Sequence, residues 1–253
     1  MSAPLWLLPA FAITAAAYAS VGLGGATAYA AVLSLTAVPY VQIPPLVLTL
    51  NLLVAGSAYW SFHRAGRVPY ATVAPLIATS VPAAFVGGLV PLRERQFLLL
   101  LALALLVAGL RFLLGGRLHR ERPAATAAVR TGTPLLAMLL PLGAGIGLLA
   151  GMTGIGGGVY LGPILLSSGW SDPKTVPAIT SAFVCFNSAA GLSAQLTRIH
   201  PALDLWAPLG AAVILGALGG AVASLRWLSA TWTQRVFGSA LIGVAILNAA
   251  KAL

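Results

Sequence analysis

From Leu205 to Leu225 the chain carries no charged side chain. The stretch from Phe97 to Leu110 is equally bare. Apolar runs of about 18 residues or more are long enough to cross a bilayer. In hydrocarbon the backbone must satisfy its own hydrogen bonds, and a helix does so within one segment. Only 7% of the 253 residues are charged and 59% are hydrophobic, against roughly 25% charged in soluble domains. The chain therefore reads as an all-α, multi-pass membrane protein.

The few charges are strongly biased. There are 14 Lys and Arg against 4 Asp and Glu, a net charge of +10. In a soluble protein such a balance points to nucleic acid. Here the basic residues are scattered between apolar spans, so they read as topology signals and no nucleic-acid partner is expected. Anionic lipid headgroups and a small anionic substrate are the partners this charge suits. The single cysteine, Cys185, cannot form an internal disulfide and lies in an apolar run, so it reads as a packed thiol. No metal-ligand or redox spacing occurs, and neither a metal nor a cofactor is expected. Ala17-Tyr18-Ala19 resembles a signal cleavage site. No basic residue precedes the first apolar run, so that run reads as a retained span.

Two glycine clusters interrupt this pattern. Gly22, Gly24 and Gly25 recur as Gly154, Gly156 and Gly157, a shift of 132 (154 − 22), with Gly158 closing the second cluster. At the same shift Pro45 meets Pro177, Thr49 meets Ser181, and Gly87-Gly88 meets Gly219-Gly220. Two homologous halves follow, residues 1–114 and 134–253. They are joined by a basic linker, 115–133, that contains Arg117, His119, Arg120, Glu121, Arg122 and Arg130. The positive-inside rule places this linker in the cytoplasm.

Each half has four apolar blocks, and the first is too long. Residues 3–38 as one helix would measure ~54 Å, against a hydrocarbon core of ~30 Å. Glycine breaks divide the long blocks, which predicts about eight long transmembrane helices plus two short helices after the breaks. If the short pieces cross the membrane, the repeats are inverted; if they are re-entrant, the repeats are parallel. The linker is cytoplasmic in both cases. A homo-oligomer is compatible with the sequence, which does not set the number of copies.

A glycine break in a membrane helix has a physical use. It exposes backbone N–H groups at the positive end of the following helix, which together bind an anion without a full charge in the membrane. The alternative is close helix packing, since small residues let helices approach. Packing accounts for Gly87, Gly88, Gly216, Gly219 and Gly220, but less well for three adjacent glycines. No Gly-Lys-Ser/Thr follows Gly158, which excludes a nucleotide loop. Thr27 and Thr153 lie beside the breaks and offer hydroxyl donors.

A polar stripe follows each break. Thr180, Asn187 and Gln195 share roughly one helix face, next to Ser181. Thr49, Gly56 or Ser57, Trp60 and His63 form a similar stripe, with Asn51 adjacent. Each residue alone reads equally well as an interhelical hydrogen bond; together the stripes favour a polar path. His63, Arg64 and Arg67, and in the other half Arg198 and His200, read first as topogenic charge at helix ends. An electropositive vestibule is the functional alternative. Arg111, after a long uncharged stretch, reads as snorkelling to the interface. Glu94, Glu121, Asp172 and Asp204 all fall in loops or at span ends, away from mid-span positions where coupling carboxylates sit.

The stretch Gly151-Met-Thr-Gly-Ile-Gly-Gly-Gly-Val-Tyr-Leu-Gly-Pro163, with Asp172-Pro173 and Ala178-Ile-Thr-Ser181, resembles the TauE/SafE family of sulfite exporter-like transporters. The resemblance covers essentially the whole chain and is strongest in the second half. The first half departs from the pattern: Ala26 stands where Gly158 would, and no proline answers Pro163. The two breaks are therefore expected to contribute unequally. The resemblance implies a secondary transporter or facilitator for a small anion, often a sulfur-containing oxyanion or sulfonate, in the bacterial inner membrane. An intramembrane enzyme is the competing class. It would need a nucleophile and base, paired carboxylates or metal ligands within the spans; the three histidines lie at span ends or in the linker, the spans hold no acid and no His-Glu motif occurs, so an enzyme is not expected. A non-transporting scaffold gives no reason for broken helices. The substrate-binding candidates are Gly22, Gly24, Gly25, Thr27, Thr49, Asn51, Thr153, Gly154, Gly156, Gly157, Gly158, Thr180, Ser181 and Asn187.

Overall fold

A computed structural model describes residues 6–20, 25–118, 133–168, 175–199, 203–224 and 230–253. The described residues form helices, with no strand among them. In order these are α1 (Leu7–Ser20), α2 (Ala26–Ser34), α3 (Ile43–Arg64), α4 (Tyr70–Leu89), α5 (Glu94–Leu118), α6 (Thr133–Thr153), α7 (Gly158–Ser168), α8 (Val176–Leu196), α9 (Leu203–Ser224) and α10 (Ala230–Ala252). Four of the described helices are long and apolar enough to cross a membrane. Large apolar side chains point outward, including Ile13, Leu215 and Ile246, each more than 60% exposed. That arrangement suits lipid as the surrounding solvent and makes the chain a multi-pass membrane protein.

Proline sets several helix starts. Pro44 and Pro45 open α3 and Pro177 opens α8, where the missing N–H costs nothing. Other prolines sit inside helices, such as Pro75 and Pro82 in α4 and Pro141 in α6. Neighbouring membrane helices tolerate these. The linker is shorter than expected at both ends. Gly115 to Leu118, with Arg117 among them, complete α5, and Thr133 opens α6. The charged residues from His119 to Arg130 lie outside the described residues, as do His200 and Asp172.

The helix starts recur at the glycine spacing. Adding 132 to the first residues of α2, α3 and α4 (26, 43 and 70) gives 158, 175 and 202; α7, α8 and α9 begin at 158, 176 and 203. Packing runs across the two sets: α4 lies on α6, α1 on α9, α5 on α10, and α8 on both α3 and α4.

Small residues fix the closest of these contacts. On α6, Gly143, Gly147 and Gly151 face Leu76, Ser80 and Ala84 of α4, both sets stepping by four, so the two helices run parallel. A Cβ at Gly143 would lie 2.6 Å from the Leu76 carbonyl oxygen, and one at Gly147 would meet that of Ser80. Gly87 abuts the Leu148 backbone, Gly88 lies against Gly191, and Gly216 lies against Ala12, so these glycines do pack helices. The surroundings of Gly219 and Gly220 lie outside the described side chains.

α3 and α8 cross in the opposite sense. Leu48 lies beside Gly191, Asn51 beside Ser188, and Gly56 beside Cys185. One number rises as the other falls, which makes the pair antiparallel.

Candidate anion site

α6 ends at Thr153, where the Gly154 N–H donates to the Ala150 carbonyl at 2.9 Å. The backbone then turns through left-handed conformations: φ is 76° at Gly154, 73° at Gly156 and 80° at Gly157. Only glycine adopts these routinely. Ile155, buried between them, packs into one apolar cluster with Ala26 and Tyr29 of the first half and pins the loop. α7 starts at Gly158, and the Gly157 carbonyl accepts from the N–H groups of Tyr160 and Leu161, both at 3.1 Å. Among the described residues, the N–H groups of Gly156, Gly157 and Gly158 reach no acceptor. They sit at the positive end of α7, an eleven-residue helix.

The surroundings of this turn come from both halves. A Cβ at Gly154 would lie 2.5 Å from Pro44 Cα in the first turn of α3. One at Gly157 would lie 2.8 Å from Ile146 and 2.9 Å from Phe183. One at Gly156 would meet the Asn51 amide and lie 2.9 Å from Ser188 Oγ. Asn51 and Ser188 are fully buried, and Asn51 Nδ2 donates to Ser188 Oγ at 3.1 Å. Asn51 Oδ1 has no partner. The amide nitrogen carries two protons, so one remains after the bond to Ser188. The pair thus holds one amide donor available to a ligand at Gly156. Asn187, also fully buried, has both amide atoms unpartnered. Such groups cost about 1–3 kcal/mol each if left unmet. Ser188 lies twelve residues into α8 and eight from its end, or ~18 and ~12 Å, near the middle of the helix.

The first break is lined differently. Gly25 caps α2, and the fully buried Tyr29 ring lies where a Gly25 side chain would go. Tyr29 stacks on Phe11 with centroids 5.2 Å apart. Gly22 and Gly24 lie outside the described residues. An aromatic pair fills the start of α2, where one amide and one hydroxyl line the turn before α7. The halves are unequal, as the sequence leads one to expect, but the side chains beneath the helix start carry more of the difference than Ala26.

The sulfite exporter TauE/SafE family model matches residues 7–248. The chain belongs to the TauE/SafE family. It is also 34% identical over 242 residues to the probable membrane transporter protein y4hK of Sinorhizobium fredii, covering 94% of this chain and 95% of that one. No solved structure matches the chain. A TauE/SafE assignment makes the chain a membrane transporter of that type.

Several of the hydroxyls expected at this TauE/SafE site are spent locally. Thr153 donates to Leu149 at 2.7 Å, Thr180 to Val176 at 2.9 Å, Ser181 to Ala178 at 3.1 Å and Thr49 to Pro45 at 2.9 Å. Away from water, a helical Ser or Thr turns its proton onto a carbonyl of the preceding turn, so these four offer lone pairs but no donor. Thr27 is buried in α2. The second-half stripe is buried, with Thr180, Asn187 and Gln195 each at most 5% exposed. The first-half stripe diverges: Ser57, Trp60 and His63 lie on the outer surface. There His63 Nδ1 pairs with Tyr70 OH at 2.6 Å and Arg64 lies 5.7 Å from the Trp60 ring, as in an interfacial aromatic belt. Asn51, one position off that stripe's face, is the residue that turns inward. Ser188 was not among the residues expected; its signal was its place beside Asn187 in the polar segment of α8.

Proposed function

We propose that this chain is a secondary transporter or facilitator that moves a small anion across the bacterial inner membrane. The anion's site lies at the Gly154–Gly158 break. The observation that carries this reading is the meeting of three free N–H groups at the start of α7 with a fully buried amide–hydroxyl pair, Asn51 and Ser188. No acidic side chain belongs to that set. In a low-dielectric interior, fixed donors gathered at a helix start favour negative charge. Several oxygens on one centre can engage several donors at once, which favours an oxyanion or sulfonate over a halide, a cation or a neutral sugar.

The matching helix starts at a shift of 132, with α3 and α8 crossing antiparallel, support inverted repeats built from one duplicated unit. In that reading the short α7 completes a crossing, as substrate sites in inverted-repeat transporters are built from broken helices near the midplane. The basic linker then lies in the cytoplasm. Purified protein in liposomes tests the function. Saturable flux of sulfite, competed by thiosulfate or a short sulfonate, is expected. Competition by cations with no effect of any of these anions would refute it.

A further inference from the structure

A second polar feature lies between the end of α8 and the end of α4. A cleft of about 170 Å³ is lined there by Arg198, Gln195, Tyr40, Pro44, Met152 and Phe97, among others. That is far above the ~10–15 Å³ that admits one water. Arg198 is the one charged side chain on its described wall. One guanidinium nitrogen, Nη1, donates to the Leu89 carbonyl at 2.8 Å, at the last residue of α4. An arginine has five N–H donors, so this anchor holds the group at the end of α4 and leaves others for a ligand.

The cleft adjoins the Gly154 turn. Pro44 lines it and touches Gly154, and Met152 lines it two residues before that turn. Gln195 lies on the α8 face between Arg198 and Ser188 and donates to the Gly151 carbonyl at 3.3 Å. Arg198 is ten residues beyond Ser188, ~15 Å along the helix axis. Phe97, near the start of α5, also lines the cleft, and α5 runs ~36 Å to Leu118. The cleft therefore opens on the face away from the linker.

We propose that Arg198 and this cleft form an outer capture site, where an oxyanion pairs with the guanidinium before it moves to the glycine turn. This rests on the anion-transport reading above. A planar guanidinium holds two oxygens of one anion side by side. A cationic mouth also raises the local anion concentration in a salt-dependent way. If Arg198 only caps α4, its loss lowers stability and leaves the concentration dependence of transport alone.

The test measures initial sulfite flux into proteoliposomes at low and moderate salt for wild type, Arg198→Gln and Arg198→Lys, each normalised to folded protein by size-exclusion chromatography. Arg198→Gln is expected to raise KM about tenfold, keep the maximal rate within twofold, and flatten the salt dependence. Arg198→Lys, which keeps the charge without the fork, is expected to raise KM two- to threefold and keep the salt dependence. An unchanged KM and salt slope in Arg198→Gln beside a saturable wild-type flux would overturn the capture site alone. Absence of saturable anion flux in wild type would overturn the function on which it rests.

Discussion

Asn51 on α3 and Ser188 on α8, 137 positions apart, join at 3.1 Å directly beneath Gly156. This contact ties the two halves together at the point where the α6–α7 turn exposes its N–H groups. It also makes the proposed site sensitive to charge at one side chain. Asn51→Ala removes an amide donor and leaves Ser188 without its partner, a loss of about 1–1.5 kcal/mol. The half-saturating anion concentration should rise about five- to tenfold. Asn51→Asp keeps the shape but places a carboxylate against the anion, and like charges meeting in a buried site cost several kcal/mol. Flux in Asn51→Asp should fall well below that of Asn51→Ala. Equal flux in the two proteins, measured in liposomes, would remove Asn51 from the site.

Two glycines on α6 separate helix packing from mere helix propensity. Gly147 lies against the Ser80 carbonyl, whereas a Cβ at Gly145 would meet nothing within 4 Å. Gly147→Ala should force α4 and α6 apart at about 1–3 kcal/mol. Gly145→Ala should be neutral or stabilise by up to ~1 kcal/mol, since Ala is the better helix former. Thermal unfolding in detergent reads both, at about 2–4 °C per kcal/mol for a chain of this size. A melting temperature for Gly147→Ala at or above wild type would contradict the close α4–α6 contact.

The last helix holds the short α2. Asn248 Nδ2 donates to Ser34 Oγ at 3.0 Å and Lys251 Nζ to the Ser34 carbonyl at 3.2 Å. Ser34 ends α2, so Lys251 also meets the negative end of that helix. Lys251→Gln should lower stability by up to about 1 kcal/mol, and Asn248→Ala by about 1 kcal/mol, because it removes one buried hydrogen bond while the Ser34 hydroxyl keeps its bond to the Ala31 carbonyl. Neither should change anion affinity, because both lie away from the α7 start. A changed KM with unchanged stability would place α2 in the substrate path instead.

The helices and the second break were legible because each rests on local chemistry. Uncharged apolar runs have one outcome in lipid, and Gly154, Gly156 and Gly157 adopt conformations that other residues avoid. The family was legible from the same glycine run. What the sequence did not reveal was tertiary. Nothing local pairs Asn51 with Ser188 across 137 positions. The residue types of Thr153 and Thr180 gave no sign that their protons point back along their own helices. The spacing of Ser57, Trp60 and His63 defined a face but not its direction, and that face points outward. Nothing local marks Tyr29, whose ring fills the space beside Gly25 at the first break. The Gly143, Gly147 and Gly151 series was readable as small residues four apart, a pattern of close helix approach.

In the proposed mode of transport the anion meets the backbone of the Gly154–Gly158 turn. Flux of radiolabelled sulfite per folded molecule, in liposomes carrying wild type, Gly156→Val or Gly157→Val, tests it most directly. A side chain at Gly156 must fit a left-handed backbone and occupy the space of the Asn51–Ser188 pair. Both proteins should therefore insert and purify as folded species yet lose at least about tenfold in flux, with the loss at Gly156 not restored by raising sulfite. Near-normal flux in both would mean that these glycines only pack helices and that the anion travels elsewhere.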